Sequence, residues 1–279
     1  MNPASPARPG VPFTERTPRI VAARGLLRRR NRDSEGRFLV EGAQAVREAI
    51  TCATVLELFV TERAAQRHPE LLEACGAPVS LVTERAAAGL SETVAPQGIV
   101  AVCAALGRSV AEAVRGTRLV AVLAGVSDPG NAGTVIRVAD AAGAGAVVFA
   151  GETVDPHNGK CVRASTGSIF HVALGVAPDP HRAVTACHQA GLQVLAADAG
   201  AGRNLDDLVD AGGLAAPTAW LFGSEAHGLD PDLLAVADHA VAIPLYGRAE
   251  SLNLATAAAI CLYASARAHR RRSGAGPIT

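Results

Sequence analysis

Residues 128–137 read Asp-Pro-Gly-Asn-Ala-Gly-Thr-Val-Ile-Arg and follow an apolar run at residues 119–126. An apolar run that ends in a Pro-Gly turn and continues with helical periodicity predicts a buried strand followed by a helix. Asn131 is expected to be the N-cap of this helix. Gly133 and Arg137 are four residues apart and share a helical face, so the glycine leaves space for a ligand beneath the cation. Taken alone, the segment also fits a capped helix with a solvated arginine.

Two later segments follow apolar runs in the same way. Residues 221–228, Leu-Phe-Gly-Ser-Glu-Ala-His-Gly, predict a strand that runs into a glycine-bounded loop. Residues 243–253, Ile-Pro-Leu-Tyr-Gly-Arg-Ala-Glu-Ser-Leu-Asn, predict a final helix with Ser251 as its N-cap and Asn253 in its first turn. Alone, each also fits an ordinary turn or cap. Ligands in open parallel sheets bind beyond the carboxyl ends of the strands, so the three segments are predicted to meet at one site.

The length and the order of predicted elements indicate two domains. At about 150 residues per domain, 279 residues make roughly two. Residues 1–18 are rich in Pro, Ala and Arg and are interpreted as a disordered tail. Residues 19–106 alternate short strands and helices, including a predicted helix at 62–74, and form a small α/β domain. Residues 107–117 are interpreted as a linker, and residues 118–273 as a second α/β domain whose apolar strands predict a parallel sheet.

Composition excludes several classes of protein. Aromatic residues make up 3% of the chain, which argues against a single-stranded-RNA-binding sheet that needs several aromatic side chains for base stacking. The six cysteines form no close pair or Cys/His cluster, which argues against zinc and for a reducing compartment. No signal-peptide pattern or membrane-spanning run is present, so we expect a cytoplasmic protein. Residues 142–148 do not match the Rossmann dinucleotide-binding fingerprint, and the Walker phosphate-binding motif is excluded because Lys160 is followed by Cys161.

Charge is distributed unevenly although the chain is neutral overall. Residues 1–40 hold nine arginines and three acidic residues, and the C-terminal end is again rich in arginine. Two explanations remain open for this pattern. The basic ends are solubilising tails, or they contact the phosphates of a nucleic acid.

Taken together, the three segments resemble the three motifs of the SpoU (TrmH-type) RNA 2′-O-ribose methyltransferases. The matching positions are Asn131, Gly133, Arg137, Gly223, Glu225, Ile243, Pro244, Gly247, Ser251, Leu252 and Asn253. Residues 160–170 resemble the family's Lys-x-x-Arg-Ala-Ser-x-Gly-Ser helix, and residues 37–42 are similar to the start of its L30e-like substrate-binding domain. Ala226 departs from the pattern, because the family usually has glycine there; if that position needs a positive φ, alanine costs stability.

The resemblance implies an α/β fold: a parallel-sheet SPOUT domain with a deep trefoil knot, preceded by the L30e-like domain. It implies a homodimer that uses S-adenosyl-L-methionine and no metal, since the sulfonium is already a good leaving group. The cofactor-binding residues would be Leu221, Gly223, Ser224, Ile243, Leu245 and Leu252. The catalytic set would be Arg137, Asn131, Glu225, Ser251 and Asn253. Arg137 would act as a cation that stabilises the developing alkoxide, or as the base that removes the hydroxyl proton.

The implied substrate is a structured RNA, with 23S rRNA preferred and tRNA as the alternative. Two other hypotheses remain. A non-catalytic RNA-binding protein would explain the basic N-terminal stretch, and cofactor binding distinguishes it from an enzyme. A knotted methyltransferase that acts on a base nitrogen would need an Asp-centred site, and it does not account for the segment from Asn131 to Arg137.

Overall fold

Helices and strands alternate along the computed structural model, which describes residues 11–273. The first elements are α1 (Pro18–Gly25), α2 (Arg29–Glu35), β1 (Arg37–Glu41), α3 (Ala43–Cys52), β2 (Val55–Val60), α4 (Glu62–Arg67), α5 (Pro69–Ala74), β3 (Val79–Leu81), α6 (Glu84–Ala88) and β4 (Ile99–Ala104). The next are β5 (Gly107–Arg108), α7 (Val110–Val114), β6 (Leu119–Ala124), α8 (Pro129–Ala141), β7 (Ala146–Ala150), α9 (Gly159–Ser165) and the 3₁₀ turn Ser168–Phe170. The last are β8 (Ala173–Ala177), α10 (Pro180–Gln189), β9 (Gln193–Ala197), α11 (Leu205–Asp210), β10 (Thr218–Phe222), α12 (Pro231–Ala235), β11 (His239–Val241) and α13 (Leu254–Ser273).

The first of two compact units comprises residues 11–105 and 157–170. Its four-stranded sheet has the order β1-β4-β2-β3, in which β4 is antiparallel to β1 and β2, while β3 is parallel to β2. One face of the sheet is covered by α1, whose Ile20 and Ala23 are buried with Phe59 and Val100. This burial of apolar surface stabilises the unit.

Two predictions for this unit are wrong in detail. The single helix at 62–74 is broken at His68, because Pro69 has no N–H to continue the helix and starts α5 instead. The predicted disordered tail is described from residue 11 onward, and there Phe13 pairs with Val82 beside β3. The Phe13 N–H donates to the Leu81 carbonyl at 2.8 Å. Residues 1–10 lie outside the described part of the chain.

Residues 157–170 return to the first unit although they lie inside the predicted second domain. The Phe38 ring lies 4.5 Å from the His157 ring between centroids. Arg163 Nη1 lies 3.6 Å from Glu41 Oε2, at the end of β1. Cys161 and Val162 are buried. The motif helix with the single lysine of the sequence is therefore part of the first unit.

The second unit comprises residues 106–156 and 171–273. All seven strands of its sheet are parallel, in the order β11-β9-β10-β6-β7-β8-β5, which confirms the predicted parallel sheet. Residues 107–114, interpreted as a linker, instead supply the edge strand β5 and helix α7. A Ser-x-x-Glu capping box of Ser109 and Glu112 starts α7.

Three strands of this sheet end at the same level. Ala197 at the end of β9 pairs with Phe222 of β10 on one side and with Val241 of β11 on the other. The segments that leave these strands are therefore neighbours. Helix α13 lies against the sheet, where the buried Trp220 Nε1 donates to Ser265 Oγ at 2.8 Å. Among residues 11–273, no helix is both long and apolar enough to cross a membrane.

Candidate active site

The start of α8 sets the position of the Asn131 side chain. Asp128 is the N-cap, because its Oδ1 accepts the Asn131 N–H at 2.8 Å. Pro129 follows at the first helical position, where its missing N–H costs nothing. The prediction of Asn131 as the N-cap is therefore wrong. Its side chain is free for a contact outside the helix.

The N-cap of α13 is also a different residue from the one predicted. Asn253 Oδ1 accepts the N–H groups of Ala255 at 2.9 Å and Thr256 at 3.3 Å. Asn253, and not Ser251, is therefore the cap of the last helix. Ser251 lies in the exposed loop before it.

A chain of hydrogen bonds joins the three predicted motif segments. Asn253 Nδ2 donates to Asn131 Oδ1 at 3.0 Å, and Asn131 Nδ2 donates to Glu225 Oε1 at 2.9 Å. The backbone fixes the direction of this chain: since Asn253 uses its oxygen to cap α13, only its nitrogen is left to meet Asn131. Asn131 must then present its own nitrogen to the Glu225 carboxylate. Residues far apart in sequence are thus held together, as predicted.

The loop after β10 requires a glycine at its first position. Ser224 and Gly228 exchange two backbone hydrogen bonds, at 3.0 and 2.9 Å, which bring Gly228 back over Gly223. A Cβ at Gly223 would lie 2.2 Å from the carbonyl carbon of Gly228. Ala226, in the same loop, carries no backbone penalty, because Thr166 is the one non-glycine residue with positive φ among residues 11–273.

A cavity of about 510 Å³ lies at the carboxyl edge of the sheet, above the ends of β9, β10 and β11. This volume falls within the range of small-molecule sites. Its lining includes Gly223, Ser224, Glu225, Ile243, Leu245, Ser251, Leu252 and Asn253 from the predicted set. Leu221 is buried in the sheet instead, and Asn131 adjoins the cavity through its bonds to Glu225 and Asn253.

Sequence reasoning missed the other lining residues. They are Ala197, Asp198, Ala199, Phe222, Gly228, Val241, Leu254 and Ala257. Asp198 could have been predicted as a site residue, because it directly follows strand β9 in a parallel sheet. The turn after β9 has no Pro-Gly or Ser-Glu pattern to mark it.

Arg137 lies two turns from the start of α8 with its side chain exposed. Within residues 11–273 it makes no hydrogen bond or ion pair. Gly133, one turn earlier on the same face, is buried. The arginine is therefore a cation available to a ligand. Lys160 lies at the start of α9 in the first unit and is not among the described residues that line the cavity.

The loop before α13 is tethered to α11. The Tyr246 hydroxyl donates to Asp206 Oδ2 at 2.8 Å, and this bond raises the pKa of the tyrosine. Leu245, next to it, lines the cavity. Strand β11 ends at Val241, and the following residues Ile243 and Leu245 belong to the wall of the site.

Comparison with protein-family models matches residues 118–263 to the SpoU rRNA Methylase family and residues 17–101 to the MRM3-like substrate binding domain. The first match covers more than half of the chain and contains the three segments that meet at the cavity. The chain belongs to the SpoU rRNA methylase family. The predicted family and the predicted substrate-binding domain are both confirmed.

Individual SpoU relatives match nearly the whole chain. It is 36% identical over 236 residues to the 23S rRNA (guanosine(2553)-2′-O)-methyltransferase RlmP of Bacillus subtilis, covering 84% of this chain and 90% of the relative. Its fold matches the SpoU methyltransferase AviRb of Streptomyces viridochromogenes in complex with AdoMet, with a TM-score of 0.82 and 29% identity over 92% of this chain and 99% of that one. The fold also matches an AdoMet-bound rRNA methyltransferase from Sinorhizobium meliloti, with a TM-score of 0.77 and 29% identity. This match covers 94% of this chain and 98% of that one.

Proposed function

We propose that this protein transfers a methyl group from S-adenosylmethionine to a ribose 2′-hydroxyl in 23S rRNA. The observation that carries the proposal is the hydrogen-bonded chain from Asn253 through Asn131 to Glu225 at the wall of the cavity. The relatives support it, because RlmP is named as a 23S rRNA 2′-O-methyltransferase and two matched structures contain AdoMet.

The cavity suits the cofactor in size and chemistry. Its wall combines apolar side chains such as Ile243 and Leu252 with the backbone of Gly223, which suits the apolar faces of an adenine ring. Asp198 and Glu225 supply negative charge for a cationic ligand. When bound, S-adenosylmethionine supplies an activated methyl group. The backbone around residues 221–224 and 243–252 would hold it.

The residues at the cavity wall have distinct proposed roles. The Arg137 guanidinium is a cation with donors only, so it stabilises the alkoxide that develops on the ribose as the hydroxyl proton passes to solvent water, and it contacts the adjoining phosphate. Asn131, fixed at both ends of its amide, orients the ribose next to Arg137. Glu225 holds Asn131, while Ser251 and Asn253 line the cavity at the start of α13 and contact the substrate or the cofactor there.

Three further features belong to this proposal. The protein acts as a homodimer, supported by the apolar Ile260 and Tyr263, which are 38% and 68% exposed on one face of α13. The second unit contains the trefoil knot of its family. The enzyme works in the cytoplasm, where its ribosomal substrate is made. Size-exclusion chromatography with light scattering tests the dimer.

A ribose-methylation map of total rRNA and tRNA, made with and without the gene, tests the function. We expect the loss of one 2′-O-methyl group in 23S rRNA. It should be restored by the wild-type gene and not by Arg137→Ala. The purified Arg137→Ala protein should still bind S-adenosylmethionine, which separates catalysis from cofactor binding. A lost tRNA site, or wild-type turnover by the variant, would contradict the proposal.

A further inference from the structure

The wall of the cavity carries negative charge without a compensating cation. Asp198 and Glu225 are its ionisable residues, and no arginine, lysine or histidine occurs among the described residues that line it. The start of α13 also borders the cavity, but Asn253 Oδ1 already accepts two of its N–H groups. The remaining lining residues are small, apolar or hydroxyl-bearing.

The two carboxylates differ in how they are used. Glu225 accepts a hydrogen bond from Asn131 and is therefore part of the chain that joins the motifs. Asp198 has its backbone fixed, since its N–H donates to the Val241 carbonyl at 3.1 Å. Its side chain is half-buried and lines the cavity, and within residues 11–273 the carboxylate makes no hydrogen bond or ion pair. Its negative charge is available to the contents of the cavity.

We propose that Asp198 is a specificity-determining residue: it favours binding of S-adenosylmethionine, whose sulfur is a cationic sulfonium, over binding of the product S-adenosylhomocysteine, whose sulfur is a neutral thioether. The inference rests on the proposed placement of the cofactor in this cavity. Substrate and product share the adenosine, the ammonium and the carboxylate groups. They differ in a methyl group and in one positive charge, on the sulfur.

A carboxylate in the wall attracts this extra charge without touching it. Charges several ångströms apart in a half-buried site interact weakly but measurably, so removing one changes affinity by roughly three- to tenfold. The effect falls on the substrate and not on the product. Methyl transfer removes the positive charge that Asp198 attracts, which weakens retention of the product and lowers product inhibition.

Isothermal titration calorimetry on the full-length protein tests the proposal with three ligands. They are S-adenosylmethionine, S-adenosylhomocysteine and sinefungin, which has an ammonium group in place of the sulfonium. In Asp198→Asn, the Kd values of S-adenosylmethionine and sinefungin should rise by about three- to tenfold. The Kd of S-adenosylhomocysteine should change by less than about twofold. Asp210→Asn is the matched control, because Asp210 is exposed at the end of α11 and does not line the cavity.

Salt provides a second measurement that needs no variant. Raising ionic strength from about 50 mM to about 500 mM should reduce the wild-type preference for the two cationic ligands, because ions screen the interaction. Equal weakening of all three ligands in Asp198→Asn would mean that Asp198 contacts a group common to them and would overturn the proposal. Unchanged affinities, or a preference that does not respond to salt, would overturn it too.

A separate variant tests the placement of the cofactor. Ala257 lines the cavity from α13, and Ala257→Leu puts a larger side chain into it. If that variant binds all three ligands as the wild type does, the cofactor is not in this cavity, and the proposed site fails. If it loses all three while Asp198→Asn loses none, the site holds and the role of Asp198 is refuted.

Discussion

Replacing Asn253 by aspartate separates the two tasks of this side chain. Its Oδ1 caps α13, and its Nδ2 donates to Asn131 at 3.0 Å. Aspartate keeps an acceptor for the cap, and its charge suits a helix N-terminus, so its free energy of unfolding should be about 1 kcal/mol higher than that of Asn253→Ala. Alanine loses the cap, which costs about 1 kcal/mol and lowers the Tm by roughly 2–4 °C.

The same two variants should lose activity to a similar extent. Neither can donate to Asn131 Oδ1, and aspartate also sets a carboxylate against that oxygen. We expect the lost orientation to remove about 1–2 kcal/mol of transition-state stabilisation, a fall in kcat of about 5- to 30-fold. Single-turnover methyl transfer to rRNA and thermal unfolding are measured on the same preparations. Wild-type kcat in Asn253→Asp, or an equal loss of stability in both variants, would refute the reasoning.

Three other predictions concern packing and reactivity. Gly223→Ala forces a methyl group into the returning loop backbone, so S-adenosylmethionine binding should fall below detection by calorimetry while far-UV circular dichroism shows a folded chain. Ser265→Ala leaves the buried Trp220 indole N–H without its acceptor and should cost about 1–3 kcal/mol in urea unfolding followed by tryptophan fluorescence; an unchanged midpoint would contradict this. Burial raises the pKa of Cys187 to about 12, so at pH 8 iodoacetamide should modify the exposed Cys52 and spare Cys187 until the protein unfolds, as mass spectrometry can check.

Much of the candidate site was predictable because strand ends in a parallel sheet lie along one edge. The rule that ligands bind beyond those ends is enough to bring Glu225, Asn131 and Asn253 together from the sequence alone. The apolar runs also identified the parallel sheet. The same rule also applies to Asp198, because it follows strand β9, but the turn that contains Asp198 has no distinctive residue pattern that would mark it as part of a site.

The capping residues show where local sequence stops being informative. Asp128 and Asn131 are both good N-caps, and so are Ser251 and Asn253. Only long-range contacts choose between them. Asn131 faces Glu225 across 94 residues of sequence, which leaves Asp128 to cap α8. In the first unit, the pairing of Phe13 with Val82 is equally non-local, so a stretch without periodicity was interpreted as disordered.

The return of residues 157–170 to the first unit has a consequence for protein engineering. The polypeptide passes between the two units three times, so no single cut divides it into two independent modules. A fragment starting near residue 118 would carry the buried apolar residues Cys161, Val162 and Ile169 without the rest of the first unit. Grafting the first unit onto another methyltransferase would need this short insert as well. A nick between residues 105 and 118 should leave both pieces associated, whereas the isolated pieces should be prone to aggregate.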